Sequence, residues 1–308
     1  WKKLSSLWRV WGITSQLEKE GIELFHGLSN ELPLNIHKSR IKSIVTIHDL
    51  IFLRYPQYYQ SIDRKIYTYK FRKACENADK IIAISECTKR DIIRYFNIPD
   101  DKIEVVYQGC DVSFTHPVTE EKKEEVRKKY QLPDHYILNV GSIEERKNIL
   151  AAVQALPMLP QHIHIVIVGR RTGYTEKVEQ FIKDNGLGER VHIISNVPFN
   201  DLPAFYQSAE IFVYPSRFEG FGIPIIEALY SGIPVVAATG SCLEEAGGPD
   251  SIYVNPDDIT GLADAFKQIY SNSDKRKNMV EKGREFAKRF SEKQQSEEII
   301  NIYKKLIR

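Results

Sequence analysis

Short runs of β-branched and aliphatic residues alternate along this chain with stretches whose apolar positions recur every three or four residues. The runs read as strands and the stretches as amphipathic helices, an alternation that predicts parallel sheets covered by helices on both faces. In the first third the expected strands are Ile22–His26, Ile44–Ile47, Lys80–Ile84 and Ile103–Val106, with helices over about Ile62–Asn77 and Glu86–Phe96. A second series follows at Tyr136–Val140, His164–Val168, Val191–Ile194, Ile211–Tyr214, Pro234–Ala238 and Ile252–Val254. Two series predict two doubly wound domains, and 308 residues suffice for two cores. Between them, 108–118 lacks periodicity and contains Gly109 and Pro117, which predicts a linker before a charged helix starting near Glu120. The closing stretch Ser291–Arg308 begins with a serine cap and places Ile299, Ile300, Tyr303 and Leu306 on one face, so this helix must dock on something.

Composition narrows the class without naming a function. Hydrophobic residues make up 42% and charged residues 27%, as in a folded globular protein, and a formal charge of +2 gives no global argument for nucleic-acid binding. Cys75, Cys87, Cys110 and Cys242 show no Cys-x-x-Cys spacing, which favours reduced, structural thiols over zinc or disulfides. No apolar run is long enough to span a bilayer, and no signal peptide is visible. The start at Trp1 rather than Met suggests that an upstream segment has been lost. The basic and aromatic mixture over Trp1–Trp11 could serve a membrane surface, but an ordinary helix of the first domain, with its tryptophans in the core, is the expectation.

The most informative stretch is Phe218–Leu229. The apolar run Ile211–Tyr214 ends at Pro215 and Ser216, and Pro224 suits the first turn of a following helix. A helix start offers unpaired N–H groups and a positive dipole end, and Gly220 and Gly222 let backbone approach a ligand closely, so the loop reads as an anion site. Glu219 precedes the helix and Glu227 lies inside its first turns. Two acids beside an anion site should face hydroxyl or cationic groups further along the same ligand. A sugar nucleotide, with hydroxyl-bearing rings on either side of a diphosphate, has that chemistry.

Two further constellations sit at strand ends. Tyr136–Val140 runs into Gly141, Ser142, Ile143, Glu144, Glu145, Arg146, Lys147 and Asn148, then into a helical run Ile149–Leu156; Arg146 and Lys147 could offset phosphate charge. Alone, this loop reads rather as a solvated one in which Arg146 and Lys147 pair with Glu144 and Glu145. The strand Ser43–Ile47 ends directly in His48 and Asp49, at the edge that lines the ligand crevice in open α/β sheets. A lone histidine there is as often a loop stabiliser as a catalytic group. The remaining histidines have no metal-ligand spacing.

Taken together, the Glu219-x7-Glu227 element, the Arg146-Lys147-Asn148 loop, the His48-Asp49 strand end and the run Ile81–Lys89 resemble the group 1 (family 4) retaining glycosyltransferases, mannosyltransferase-like members included. The resemblance extends over nearly the whole chain and is most specific over Val213–Val236. It implies an α/β, GT-B fold: two doubly wound, Rossmann-like domains facing a cleft, here 1–112 on the acceptor side and 113–290 for the nucleotide sugar, with 291–308 crossing back to the first. It implies Glu227 on the ribose hydroxyls, Glu219 beside the transferred sugar, Lys147 and Arg146 at the diphosphate, and Gly141 and Ser142 in the phosphate loop. Phe221, Gly222 and Ile223 would offer backbone to sugar and diphosphate, Val197 would lie near the base, and His48 would come from the acceptor side.

The activity implied is retaining transfer of a hexose from a nucleotide-diphosphate sugar, GDP-mannose or a UDP-sugar, to a glycan or lipid-linked acceptor. No metal and no cofactor beyond the sugar nucleotide is expected, and no nucleic-acid partner. The implied setting is cytoplasmic, with peripheral association at the inner membrane where polysaccharide and lipopolysaccharide are built. Ser142 departs from the family, many of whose members carry arginine there, and the family's first strand and glycine-rich loop lie upstream of Trp1. A sugar-nucleotide epimerase of similar architecture and a catalytically silent sugar-nucleotide binder are the competing readings.

Overall fold

The computed structural model describes residues 8–307, which divide into two compact units, one of 8–108 with 293–307 and one of 109–292. In the first unit, β1 (Leu24–Gly27), β2 (Lys42–Ile47), β3 (Lys80–Ala83) and β4 (Ile103–Val105) form a parallel sheet in the order β1-β2-β3-β4. Alternate strand residues face opposite sides. Val45, Ile47, Ile81 and Ala83 pack with Ile92 and Phe96 of the helix Glu86–Phe96, which Ser85 caps by accepting from the Thr88 amide. Ile44, Ile82 and Val106 are covered instead by Ile302, with Ile299, Tyr303 and Leu306, from the helix Glu292–Ile307.

Two expectations about this unit need correction. Ile300 is 46% exposed while Ile302 is 6% exposed, because the buried stripe follows 299, 302, 303 and 306, the three- and four-residue steps of one helical face. Trp8 and Trp11, expected in the core, are 45% and 53% exposed. They stand in a π-helical turn, Trp8–Gly12, where the Trp8 ring lies over Gly12 so closely that a Cβ there would come within 2.8 Å of it. Thr14 and Leu17 of the next helix turn inward in their place. Trp1–Leu7 lie outside the described residues.

The second unit carries β5 (Tyr136–Val140), β6 (His164–Val168), β7 (Val191–Ile194), β8 (Ile211–Tyr214), β9 (Val235–Ala238) and β10 (Ile252–Val254), parallel throughout in the order β10-β9-β8-β5-β6-β7. The chain winds outward from β5 through β6 to β7, then returns to β8 on the other side of β5 and winds away through β9 to β10. The seam between β5 and β8 is therefore the switch point, where the loops leaving two adjacent strands diverge and open a crevice. Ile137 on β5 pairs with both Ile165 and Ile211, and all three are fully buried.

The two units divide at Gln108 and Gly109, within the stretch expected as a linker, and Phe114 of that stretch packs into the second unit. Phe114, in the 3₁₀ turn Val112–Thr115, is fully buried against Phe199 and Tyr206, with ring centroids 5.7 and 5.4 Å away. An aromatic in an aperiodic stretch carries no pattern to reveal that burial. Cys110 donates its amide to the Phe290 carbonyl at 3.0 Å and bridges Ser291, which ties both ends of the unit together. All four cysteines are free and buried.

Candidate active site

Loops leaving β5 and β8 build the site, and glycine makes their geometry possible. Gly141 has φ +148°, and its amide donates to the Val168 carbonyl at 2.9 Å. At Gly169, just after β6, a Cβ would stand 1.8 Å from the Gly141 carbonyl oxygen, so only glycine lets the two strand ends come this close. Asn148 takes a left-handed conformation, φ +55°, and donates its buried amide to the Pro215 and Pro256 carbonyls at 3.2 and 2.8 Å. That one side chain joins the loops after β5, β8 and β10.

Arg146 and Lys147, adjacent in sequence, do different things. Arg146 Nη1 lies 2.8 Å from Glu219 Oε2, its Nη2 is 3.6 Å from Glu144 Oε2, and it also donates to the Phe218 carbonyl. Burial works against the guanidinium charge, but Glu219 outweighs it and raises the Arg146 pKa. The solvated-loop pairing weighed from sequence is half met: Arg146 has Glu144 as a distant partner and Glu219 as its main one. Lys147 is partly buried, with Nζ 5.9 Å from the Tyr214 ring centroid and close enough to Gly141 that a Cβ there would meet it at 2.9 Å. Among the described residues no ion pair engages Lys147. Ser142 donates its hydroxyl to Glu144 Oε1 at 2.6 Å, which helps hold the loop.

Glu219 is fixed from three sides. Besides Arg146, it accepts on Oε1 from the Ser216 hydroxyl at 2.8 Å and the Tyr214 hydroxyl at 3.2 Å. Its backbone is in a loop, but its side chain is only 13% exposed. Gly222 follows with φ +132° and opens the helix Ile223–Ser231, with Pro224 in its first turn. Phe221 is 2% exposed and packs edge-on against Phe290 at 5.4 Å, so it offers the site backbone alone; Ile223 is partly buried. Beneath the loop, Cys242 Sγ lies 3.0 Å from the Glu219 carbonyl and 2.8 Å from that of Phe221.

Glu227, one turn into that helix, accepts from the Tyr206 hydroxyl on Oε2 at 2.6 Å. Burial raises its pKa and the Tyr206 bond only partly opposes the rise. Val197 follows β7, two strands beyond β5, next to Asn196 with φ +58°. In the first unit, His48 follows β2 and bonds through Nε2 to the Leu28 carbonyl at 2.8 Å; its amide donates to Asn30 Oδ1 at 2.8 Å and its carbonyl accepts from the Thr88 hydroxyl at 3.2 Å.

The β5–β8 seam thus gathers Gly141, Ser142, Arg146, Lys147 and Glu219, and the helix behind it carries Gly222, Ile223 and Glu227. Pattern reading missed Tyr214 and Ser216 as partners of Glu219, although both stand in the strand-end motif it singled out. It had no signal for Gly169 or Cys242, which reach the site only through the fold.

Known proteins resemble this chain over most of its length. The family described as "Glycosyl transferases group 1" matches residues 120–286, and "Glycosyltransferase Family 4" matches residues 1–114. O-antigen chain mannosyltransferase B of Escherichia coli is 31% identical over 289 residues, spanning 92% of this chain and 74% of that protein. O-antigen chain mannosyltransferase RfbU of Salmonella typhimurium is 29% identical over 225 residues, 73% of this chain and 60% of that protein. Among solved structures, sucrose-phosphate synthase from Thermosynechococcus elongatus superposes with a TM-score of 0.81 at 23% identity, covering 96% of this chain and 76% of that one. HepE of Anabaena, solved in complex with UDP-glucose, does so with 0.80 at 17% identity, over 96% of this chain and 81% of that one. The fold is GT-B, and the chain belongs to the group 1 glycosyltransferases, enzymes that move a sugar from a nucleotide sugar.

Proposed function

We propose that this protein transfers mannose from GDP-mannose, with retention, to a growing glycan or lipid-linked saccharide of the O-antigen kind. The observation that carries the reading is Lys147: a cation beside Gly141 at the β5–β8 switch point, engaged in no ion pair among the described residues, while Arg146 next to it is neutralised by Glu219. An unspent positive charge at a switch point suits a diphosphate. The choice of mannose is supported by the mannosyltransferases among the relatives, and a nucleotide-sugar donor by the UDP-glucose seen in HepE.

In the reaction the bond between the sugar C1 and the β-phosphate oxygen breaks, and C1 bonds to an acceptor hydroxyl on the same face. Charge grows on the leaving diphosphate, which takes up the acceptor proton. Lys147 and the amides opening the helix Ile223–Ser231 stabilise that charge more as it grows, which is what lowers the barrier. Glu219, held rigid by Arg146, Tyr214 and Ser216, would accept from hydroxyls of the transferred sugar, and Glu227 from the ribose. His48 would orient the sugar or the acceptor. A peripheral position at the inner membrane fits a lipid-linked acceptor.

The test pairs a thermal-shift screen of GDP, UDP and ADP with transfer of labelled mannose from GDP-mannose into a glycan acceptor. Stabilisation by GDP together with label in the acceptor is expected. Conversion of the donor's sugar without acceptor would favour the epimerase reading instead, and binding without turnover a silent module.

A further inference from the structure

Tyr206 lies in the helix Leu202–Ser208, an element that none of the loops named above includes. It is fully buried, set edge-on to Phe114 at 5.4 Å and tilted against Phe212 at 5.3 Å, so its ring has no freedom to turn aside. From that fixed seat its hydroxyl reaches Glu227 Oε2 at 2.6 Å. A carboxylate can accept about four hydrogen bonds. With one taken on Oε2, the orientation of the carboxylate is set, and no hydrogen bond among the described residues engages Oε1, which is left for a ligand.

We propose that Tyr206 is a positioning residue for donor binding: its phenol aims the Glu227 carboxylate so that it accepts both hydroxyls of the nucleotide ribose. The inference rests on the reading that Glu227 grips ribose, and the experiment separates failure of one from failure of the other. A second consequence concerns protonation. Burial raises the Glu227 pKa and the Tyr206 bond holds it down, so losing the phenol raises it further. Since the ionised carboxylate accepts from the hydroxyls more strongly than the neutral acid, donor binding then falls away at a higher pH as the solution is acidified.

The test compares Tyr206→Phe with the parent enzyme, and the probes are GDP, UDP and their 2′,3′-dideoxy forms. Tyr206→Phe keeps the ring and its packing. It is expected to weaken ribonucleotide binding about tenfold or more, the scale of one hydrogen bond to a charged group. The donor KM should rise with kcat within about twofold, and the acid limb of kcat/KM should move to higher pH. The dideoxy forms should bind parent and variant alike. Phe114→Leu, which loosens the packing of the same ring without removing the hydroxyl, should lower thermal stability and leave the acid limb in place.

Glu227→Gln decides between the two claims. If it still prefers ribo- over dideoxynucleotide as strongly as the parent, the ribose reading is wrong and the Tyr206 role goes with it. If that preference is lost in Glu227→Gln while Tyr206→Phe binds and titrates like the parent, Glu227 holds ribose unaided and the proposal is overturned.

Discussion

Arg146 and Glu219 form an ion pair at 2.8 Å with their side chains 14% and 13% exposed, one in the loop after β5 and the other in the loop after β8. The pair fastens the two loops across the switch point, and it joins a cation and an acid that sequence alone assigns to different parts of a ligand. Breaking a buried pair by removing one partner costs about 3–5 kcal/mol, and less here because some solvent reaches both groups. Glu219→Ala is therefore expected to lose stability as well as transfer, by about 2–3 kcal/mol in urea unfolding followed in the second unit. Glu219→Gln, which can still accept from Ser216 and Tyr214, should lose less stability but most of its activity. A Glu219→Ala protein as stable as the parent would show that the pair contributes nothing to the loop.

Lys147→Ala should behave in the opposite way. No ion pair among the described residues depends on this lysine, so urea and thermal midpoints should stay close to those of the parent. Transfer should fall by about two to three orders of magnitude in kcat, as when one preorganised donor is removed from a developing anion. Retention of full activity would remove Lys147 from the diphosphate site.

Gly169→Ala tests the close approach of the strand ends. The added Cβ would lie 1.8 Å from the Gly141 carbonyl oxygen, a backbone atom that cannot swing aside, whereas at exposed Gly188 nothing lies within 4 Å. Gly169→Ala should therefore be strongly destabilising, by about 4 kcal/mol or more, and Gly188→Ala close to neutral. Equilibrium unfolding of the two variants side by side measures the contrast.

Asp201 predicts a pH dependence for the second unit. Burial alone would raise its pKa, but Lys129 at 2.8 Å, Lys122 at 2.9 Å and the Tyr130 hydroxyl at 2.9 Å outweigh this and hold the carboxylate at about 2. Its unfolded value near 3.9 is higher, so the ionised form stabilises the fold above that value, and the contribution fades as pH falls from about 5 towards 2. The two lysines are 34% and 47% exposed, which limits the contribution to about 1–2 kcal/mol and makes it weaken with salt. Asp201→Asn should flatten the acid side of the stability–pH curve, as urea midpoints at pH 3 and pH 7 would show.

The strands were legible because β-branched runs bounded by polar or turn residues have few other readings; Tyr136–Val140, His164–Val168 and Ile211–Tyr214 stand where the pattern puts them. The order of those strands was not. Nothing local in Val191–Ile194 says that the chain next crosses back past β5, so the seam that locates the site appears only in the sheet. The Arg146–Glu219 pair joins residues 73 positions apart, and neighbouring charges at 144 and 145 offer the pattern reader a nearer partner. The same limit applies to Trp8 and Trp11, whose size suggests a core but whose turn packs onto its own glycine.

The apolar cover over Ile44, Ile82 and Val106 is drawn from a helix that is translated only after all of 109–291. One side of the first unit's sheet must therefore stay open on the ribosome while the second unit is made, and that second unit, whose core cluster among the described residues runs from Ile137 to Met279, can finish first. Nascent chains halted before Glu292 should accordingly bind holdase chaperones through that uncovered side.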